Sequence, residues 1–272
     1  MLVSGLILLT AMLIGSIWLF IIGQKRTSDF RQQQIFVSSV THELRSPLAN
    51  LQLTFETLKK RQLPDDVKQT LLENGEKDTE RLLRLVNQIL ISARLDKGIE
   101  RFDEKNVAID VAELIDQSIE RAEILEETVR SRIQILCSGG IKIHGPRSAF
   151  LLMLSNLIEN AVKYSDKNDP IEIRAGFDGP DHVLLAIKDR GQGLTKSELK
   201  KVFRMFYRGP IANAKAIKGT GIGLFIVKTV ARLMNGTVWA ESEGRDLGST
   251  FYLRIPINRK ALYRALNKSK TP

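Results

Sequence analysis

A histidine and a glutamate stand side by side in the stretch FVSSVTHELRSPL, which otherwise has the spacing of a helix. When the apolar stripe of that helix is centred on Leu44, His42 points roughly 160° away from the centre. Ser46 lies beside it one turn later, and Pro47 lacks a backbone donor and should bend the helix. Glu43 can hydrogen-bond one ring nitrogen and leave the other as a nucleophile. The pattern favours a phosphate acceptor over a core histidine, but a solvated surface histidine has the same spacing.

A second polar set lies on the helix predicted from SAFLLMLSNLIENAVKYS. Asn156, Asn160 and Lys163 are spaced i, i+4 and i+7, so they share one face opposite an apolar face. Amide oxygens can bind Mg²⁺ without adding negative charge beside a triphosphate, and lysine can offset phosphate charge. Both asparagines are expected to be exposed. Exposed asparagines and lysines are common on helices, so this set alone does not establish a nucleotide site.

The stretch DRGQG directly follows the strand predicted from HVLLAIK. Asp189, at the strand end, is expected to be an exposed side chain that can accept a hydrogen bond from the exocyclic amine of adenine. Gly191 and Gly193 allow another group to approach the backbone closely. Taken alone, the stretch is equally typical of an ordinary turn.

The stretch GTGIGL precedes the helix predicted from LFIVKTVARLM. Its glycines, Gly219, Gly221 and Gly223, place backbone amides at a helix N-terminus, where they can form an anion site. The G-x-G-x-G spacing, with no preceding parallel βαβ unit, disfavours a dinucleotide-binding fold. Arg208 in FRMFYRG can reach a phosphate, and residues 194 to 218 are interpreted as a mobile lid.

The N-terminal part of the 272-residue chain predicts how these groups are anchored. Residues 1 to 24 carry no ionisable side chain and are long enough for one membrane-spanning helix of about 20 residues. A signal peptide is disfavoured, because the basic start and the small-residue cleavage site are unclear. Lys25 and Arg26 follow at once and place the remainder in the cytoplasm. We expect no folded domain before the span.

Composition narrows the range of partners and sites. The formal net charge of +10 favours acidic partners, such as anionic lipid or nucleotide phosphates. The single cysteine excludes a cysteine-rich zinc site.

Two long amphipathic helices are predicted within residues 30 to 98. The first starts near Phe36, where apolar residues begin to recur at three- and four-residue spacing, and Leu63-Pro64 breaks it. The second is predicted from Val67 to Leu95. A lone helical hairpin of this size buries too little apolar surface, whereas pairing with a second copy into a four-helix bundle would cover both stripes.

Residues 106 to 258 have a different pattern, in which short β-type runs alternate with helical runs. This pattern predicts a mixed sheet with helices on one face. The β-type runs are NVAIDV, RIQILC, IEIRAGF, HVLLAIKD, GTVWAES and STFYLRIPI. Residues 259 to 272 form a basic tail, expected to be a solvated helix or a frayed end. The predicted fold class is α+β: a transmembrane helix, a helical hairpin that dimerises, and an α/β sandwich.

In their order and spacing, these motifs resemble those of the sensor histidine kinases of bacterial two-component systems. The resemblance covers nearly all of residues 30 to 258 and rests on FVSSVTHELRSPL, NLIENAVKYS, DRGQGL, FRMFYRG and GTGIGL. It implies a dimerisation and histidine-phosphotransfer hairpin over residues 30 to 98. It implies a catalytic ATP-binding domain of the gyrase, chaperone and kinase superfamily over residues 106 to 258.

By position, the resemblance gives roles to single residues of the hairpin. His42 matches the phosphorylated histidine and Glu43 the adjacent acid. Ser46 stands where the family usually has threonine or asparagine, in the position linked to phosphatase activity, and it keeps a hydroxyl. In HGPRSAF, Pro146 stands where the family often has aspartate.

The resemblance also implies ATP and Mg²⁺ as cofactors and gives roles to residues of the second domain. Asn160 matches the Mg²⁺-binding asparagine and Asn156 its partner. Asp189 matches the adenine-binding aspartate. Tyr164 and Thr250 stand where the family usually touches the nucleotide.

The function implied is ATP-dependent autophosphorylation of His42, followed by transfer to an aspartate on the receiver domain of a separate response regulator. The chain is expected to form a homodimer and to cross the cytoplasmic (inner) membrane once. No direct nucleic-acid partner is expected, and a membrane protein that senses the stimulus is a possible partner. One alternative is an ATPase of the same superfamily without histidine transfer, which the outward His42-Glu43 pair disfavours. The other is a dimeric membrane adaptor with a dead nucleotide site, which the intact motifs disfavour.

Overall fold

The fold is described from a computed structural model of the chain. The structure describes a helical hairpin and an α/β unit, with short gaps. The described residues are 2–60, 63–96, 102, 107–123, 126, 128–210, 217 and 219–257.

The hairpin consists of α1 (Leu2–Lys60) and α2 (Asp65–Asp96). The second helix is confirmed to within two residues at its start and one at its end. The sequence predicted one helix over residues 1 to 24 and another from Phe36, whereas α1 runs unbroken from Leu2, because the polar stretch between them is rich in helix-forming glutamine, lysine and arginine. Gly75 in α2 faces the side chain of Leu51 in α1. The two helices therefore pack against each other at this position.

Across the part of the chain that the structure describes, no helix contains an apolar stretch long enough to cross a membrane. The predicted span, residues 1 to 24, falls largely on residues whose side chains lie outside that part.

The α/β unit contains a five-stranded mixed sheet in the order β2-β4-β5-β7-β6 and a separate β1-β3 pair. The β2 and β4 strands run parallel, and the other neighbours in the large sheet run antiparallel. The strands of the described residues are β1 (Val107–Asp110), β2 (Ile133–Cys137), β3 (Lys142–Gly145), β4 (Ile171–Phe177), β5 (His182–Asp189), β6 (Thr237–Glu241) and β7 (Ser249–Pro256).

Helices cover one face of this sheet, as predicted. Alternate side chains of β4, β5 and β7 are buried against them, which follows from the two-residue repeat of a strand. The helices of the α/β unit are α3 (Val111–Glu123), α4 (Val129–Arg132), α5 (Arg147–Tyr164), α6 (Lys196–Leu199) and α7 (Gly223–Leu233). The single helix predicted from AELIDQSIERAEILEETV is therefore corrected to the separate helices α3 and α4.

Candidate active site

Most residues predicted to bind nucleotide line one cleft between α5, the end of β5 and the two glycine-rich stretches. Gly191 and Thr250 are the exceptions. The predicted residues that line the cleft are Asn156, Asn160, Lys163, Tyr164, Asp189, Gly193, Arg208, Gly219, Gly221 and Gly223. Residues up to 67 positions apart in sequence, from Asn156 to Gly223, thus meet at one place, although the sequence motifs alone did not fix their contacts.

The α5 helix presents its polar face to the cleft, but its two asparagines differ in exposure. Asn156 is buried rather than exposed: its Nδ2 donates to the Leu152 carbonyl at 2.7 Å, and its Oδ1 accepts from Gln88 of α2 at 3.4 Å. The prediction of two exposed asparagines was therefore wrong for Asn156. Asn160 is half-buried on the cleft wall, and Lys163 pairs with Glu159 at 3.5 Å.

Asp189 is also buried, at 3% exposure, where the sequence predicted an exposed carboxylate. Its Oδ1 accepts hydrogen bonds from the backbone N–H of Gly191 at 2.8 Å and of Ser249 at 3.2 Å. Burial raises the pKa of Asp189 to about 6, and these two hydrogen bonds act against the rise. The carboxylate is therefore held in a fixed orientation and ionises near pH 6, so a hydrogen-bond donor from a ligand would stabilise its charged form.

The glycine loop ends at the N-terminus of α7, where backbone amides are free of helical partners and can bind an anion. Gly221 has a φ of +72°, and its carbonyl accepts from the backbone N–H of Phe206 at 2.9 Å. This hydrogen bond connects the glycine loop to the stretch FRMFYRG. Arg208 lines the same cleft and donates to the Ile217 carbonyl at 2.6 Å. The cleft therefore combines an anion site with three cationic side chains, Lys163, Arg208 and Arg245.

Gly191 lies beneath the cleft floor and makes a close approach to α5. A Cβ atom at Gly191 would lie 1.9 Å from the Tyr164 carbonyl oxygen, whereas a Cβ at Gly219 would meet no atom within 4 Å. We expect Gly191→Ala to lower the free energy of unfolding by roughly 2 to 3 kcal/mol, because backbone would have to move. Gly219→Ala, the matched control, should change it little. Thermal unfolding without nucleotide measures both, and equal melting temperatures would contradict this packing.

Thr250 is placed on the other face of the sheet. In β7, side chains alternate, and Ser249 and Phe251 point into the cleft while Thr250 does not line it. Ser249 pairs with Asp189 across the sheet. The structure thus brings Ser249 to the position beside Asp189.

The α1 helix places His42 in solvent, while Glu43 and Ser46 are half-buried. The Oε1 atom of Glu43 is shielded from solvent and accepts no hydrogen bond from the described residues. Burial raises the pKa of Tyr164, and the field of Glu43 raises it further, while Arg208 acts in the opposite direction. Glu43 therefore lies close enough to the cleft to influence Tyr164.

The hairpin packs directly on the α/β unit of the same chain. Leu95, near the end of α2, is 5% exposed and belongs to the hydrophobic core of that unit, and Ile89 and Ile91 pack against the core. One turn earlier, Gln88 lines the cleft and donates to Asn156. Contacts from the last three turns of α2 thus hold the α/β unit, and with it the cleft, next to the hairpin of the same chain.

Family models match both parts of the chain. Residues 32–98 match the His Kinase A (phospho-acceptor) domain, and residues 145–259 match the histidine kinase-, DNA gyrase B- and HSP90-like ATPase domain. Together the two models cover more than half of the chain, in the order hairpin then ATPase. The chain belongs to the sensor histidine kinase family.

Individual sensor histidine kinases are similar over most of this chain. WalK of Bacillus subtilis (strain 168) is 30% identical over 82% of this chain and 37% of its own length. SenX3 of Mycolicibacterium smegmatis is 29% identical over 81% of this chain and 56% of its own length. The crystal structure of full-length ShkA in complex with AMPPNP matches with a TM-score of 0.55 and 25% identity, over 82% of this chain and 45% of ShkA. The chain thus spans between about a third and a little over half of these kinases.

Several cleft residues of this sensor histidine kinase were missed by the sequence analysis. A Thr-x-x-Glu capping box at Thr195 and Glu198 was visible in the sequence and would have located the start of α6. The others carry no local signal, because they come from α2, from the polar face of α5, from the loop before β7 and from the first residue of β7. They are Gln88, Glu159, Arg245 and Ser249.

Proposed function

We propose that this chain is an ATP-dependent protein-histidine kinase that phosphorylates its own His42. It then passes the phosphoryl group to an aspartate on the receiver domain of a separate response regulator. The supporting observation is the convergence of Asn160, Asp189 and the glycine loop in one cleft, beside a hairpin that presents His42 to solvent.

In the proposed reaction, a ring nitrogen of His42 attacks the γ-phosphorus of ATP, and the bond to the ADP oxygen breaks. The attacking nitrogen is the one that carries no proton, and the proton of the other ring nitrogen goes to the carboxylate of Glu43, the neighbour of His42 in α1. The ionised Asp189 accepts from the adenine amine. Lys163, Arg208 and the amides of the glycine loop neutralise phosphate charge, because phosphoryl transfer needs mainly positioning and charge neutralisation.

The cleft wall fits a magnesium ion. Asn160 and Glu159 are neighbours on α5 and offer an amide oxygen and a carboxylate oxygen, which are ligands that Mg²⁺ prefers. We propose Asn160 as the metal ligand, supported by Glu159. When bound, Mg²⁺ would offset the charge of the triphosphate. Asn156 is not proposed as a metal ligand. Its hydrogen bonds to Leu152 and Gln88 connect α5 to α2 at the cleft wall.

Ser46 carries the proposed phosphatase function of the hairpin. It lies one turn after His42 in α1, and its hydroxyl can orient a water molecule toward a phosphorylated aspartate on the regulator. The proposal rests on its position alone.

A second copy of the chain is the proposed partner of the hairpin. Several large apolar side chains of the hairpin are exposed, although a soluble helix normally buries its apolar face. A four-helix bundle would bury these side chains. The exposed apolar residues are Leu48, Leu53, Phe55, Leu72, Leu83, Val86 and Leu90.

We propose that residues 1 to 24 span the cytoplasmic membrane once, as their composition indicates. The full chain should sediment with membranes and be released by detergent but not by high salt. Residues 27 to 272, expressed alone, should be soluble, dimerise and autophosphorylate. A full chain that stays in the soluble fraction would contradict the anchor. A partner bound to this segment is a proposed route for the stimulus.

Phosphoryl transfer is proposed to occur within one chain, because α2 fixes each cleft beside its own hairpin through Gln88 and Leu95. Co-expressed chains that carry His42→Ala and Asn160→Ala form mixed dimers in which only transfer between chains can label a histidine. We expect no label above that of either variant alone. Labelling of the Asn160→Ala chain in the mixed dimer would show that transfer occurs between chains.

A further inference from the structure

An ion pair between the buried Glu198 and the half-buried Arg245, which the proposed reaction does not use, joins two walls of the cleft. Glu198 of α6 is 4% exposed, and its Oε1 accepts a hydrogen bond from Nη2 of Arg245 at 2.7 Å. Nη1 of Arg245 donates to the Gly193 carbonyl at 3.4 Å. Both side chains line the cleft. One guanidinium therefore bridges α6, at the start of the predicted lid, and the loop that follows Asp189.

The Glu198 carboxylate also organises the lid itself. Its Oε2 accepts from the backbone N–H of Thr195 at 2.8 Å and from the Thr195 hydroxyl at 2.7 Å, which closes the first turn of α6. Farther along the lid, Gly209 passes so near that a Cβ atom there would lie 3.0 Å from Glu198 Oε1. Arg208, the proposed phosphate contact, immediately precedes Gly209. The carboxylate therefore touches both the beginning of the lid and the segment that carries Arg208.

The pair is charged at neutral pH. Burial raises the pKa of Glu198, but hydrogen bonds from Thr195 and Arg245 outweigh burial and hold it below its usual range. Hydrogen bonds between charged groups are stronger than neutral ones, and a planar guanidinium can hold two acceptors at a fixed angle where lysine cannot. The Arg245 side chain is thus suited to holding α6 and the Gly193 loop at a fixed distance and angle.

We propose that Arg245 is a positioning residue of the nucleotide site, which clamps the start of the lid to the loop after Asp189 and so places Arg208 over the phosphates. The inference rests on the proposed function, because the lid has this role only if the cleft binds a nucleotide. The clamp predicts that binding of the adenine end and binding of the phosphate end of the nucleotide depend on different residues. The adenine end depends on Asp189, which the lid does not hold, whereas the phosphate end depends on the lid.

Binding of ADP and of adenosine by Arg245→Met tests the clamp. We expect the affinity for ADP to fall about tenfold, as the loss of a charge-assisted hydrogen bond predicts. The affinity for adenosine should stay within about twofold, as for a change away from the binding contacts. Arg245→Lys should recover only part of the ADP affinity, since lysine cannot hold both acceptors. Arg174→Met, on the open face of the sheet and paired with Glu172, is the matched control and should leave both affinities unchanged.

Loss of Arg245 leaves the Glu198 charge buried without its partner, which can destabilise the fold by itself. The double variant Glu198→Gln/Arg245→Met removes both charges, so its melting temperature should be close to that of the wild type while its ADP affinity stays low. Unchanged ADP affinity in both variants would overturn the inference. So would an equal loss for ADP and adenosine, which indicates a purely structural role. A wild-type chain that binds neither ligand would instead overturn the proposed function.

Discussion

Replacing His42 with alanine is expected to abolish the incorporation of phosphate from labelled ATP, because no other described histidine stands on the hairpin. His42 is exposed on α1 and is not among the residues that line the cleft, so the affinity for ADP should stay within about twofold of the wild type. The two properties are measured on the same preparation, by phosphoprotein labelling and by ADP titration.

His182→Asn is the matched control for this change. His182 begins β5, on the sheet rather than the hairpin, and the variant should label as the wild type does. If His42→Ala keeps its label, the acceptor lies elsewhere. If it loses both the label and ADP binding, His42 supports the fold of the site rather than accepting the phosphoryl group.

Asp189→Asn is expected to weaken adenosine binding by at least about tenfold, because a charged hydrogen-bond acceptor for the adenine amine is lost. The amide oxygen of asparagine can still accept from Gly191 and Ser249, so the loop should keep its shape. Isothermal titration with adenosine measures the loss without interference from phosphate groups. Normal adenosine affinity in this variant would rule out Asp189 as the adenine contact.

The same substitution should not lower stability at neutral pH. Because burial raises the pKa of Asp189 to about 6, the folded chain favours the protonated carboxyl. The contribution of this group to stability therefore falls as pH rises from about 4 to about 6, and at neutral pH its charge costs about 3 kcal/mol at 1.4 kcal/mol per pKa unit. Asp189→Asn should melt at the same or a higher temperature than the wild type at pH 7.5. A large drop would make Asp189 a structural residue.

The pH dependence of binding follows from the same pKa. Adenosine should bind the wild type progressively more weakly as pH falls below 6, since a proton then occupies the acceptor. The affinity of Asp189→Asn should not change over that range. A fall of equal size in both proteins would assign the pH dependence to another group.

The sequence predicted the elements of this fold wherever the side-chain pattern was strong. All six β-type runs are confirmed as strands, and the helices that carry the asparagines and follow GTGIGL are in place. The strand Lys142–Gly145 was missed because four residues with Ile143 as the single large apolar side chain give too short a pattern. The break between α3 and α4 was missed because the glutamates there are good helix formers.

The sequence also predicted ten of the residues that line the cleft, but it did not predict their burial. Asn156 is buried because Gln88, from a different domain of the fold, covers it. Asp189 is buried because the loop before β7 folds back over it and Ser249 donates to it. Both facts depend on contacts between residues at least 60 positions apart, which periodicity within one helix or strand does not encode.

The chemical stability and position of the phosphoryl group test the central claim most directly. The wild-type chain is incubated with labelled ATP and Mg²⁺, divided between acid and alkali, and digested for peptide mapping. The account predicts a label that is lost in acid, survives alkali and maps to the peptide containing His42. An acid-stable label, or release of phosphate with no labelled protein at all, would contradict it.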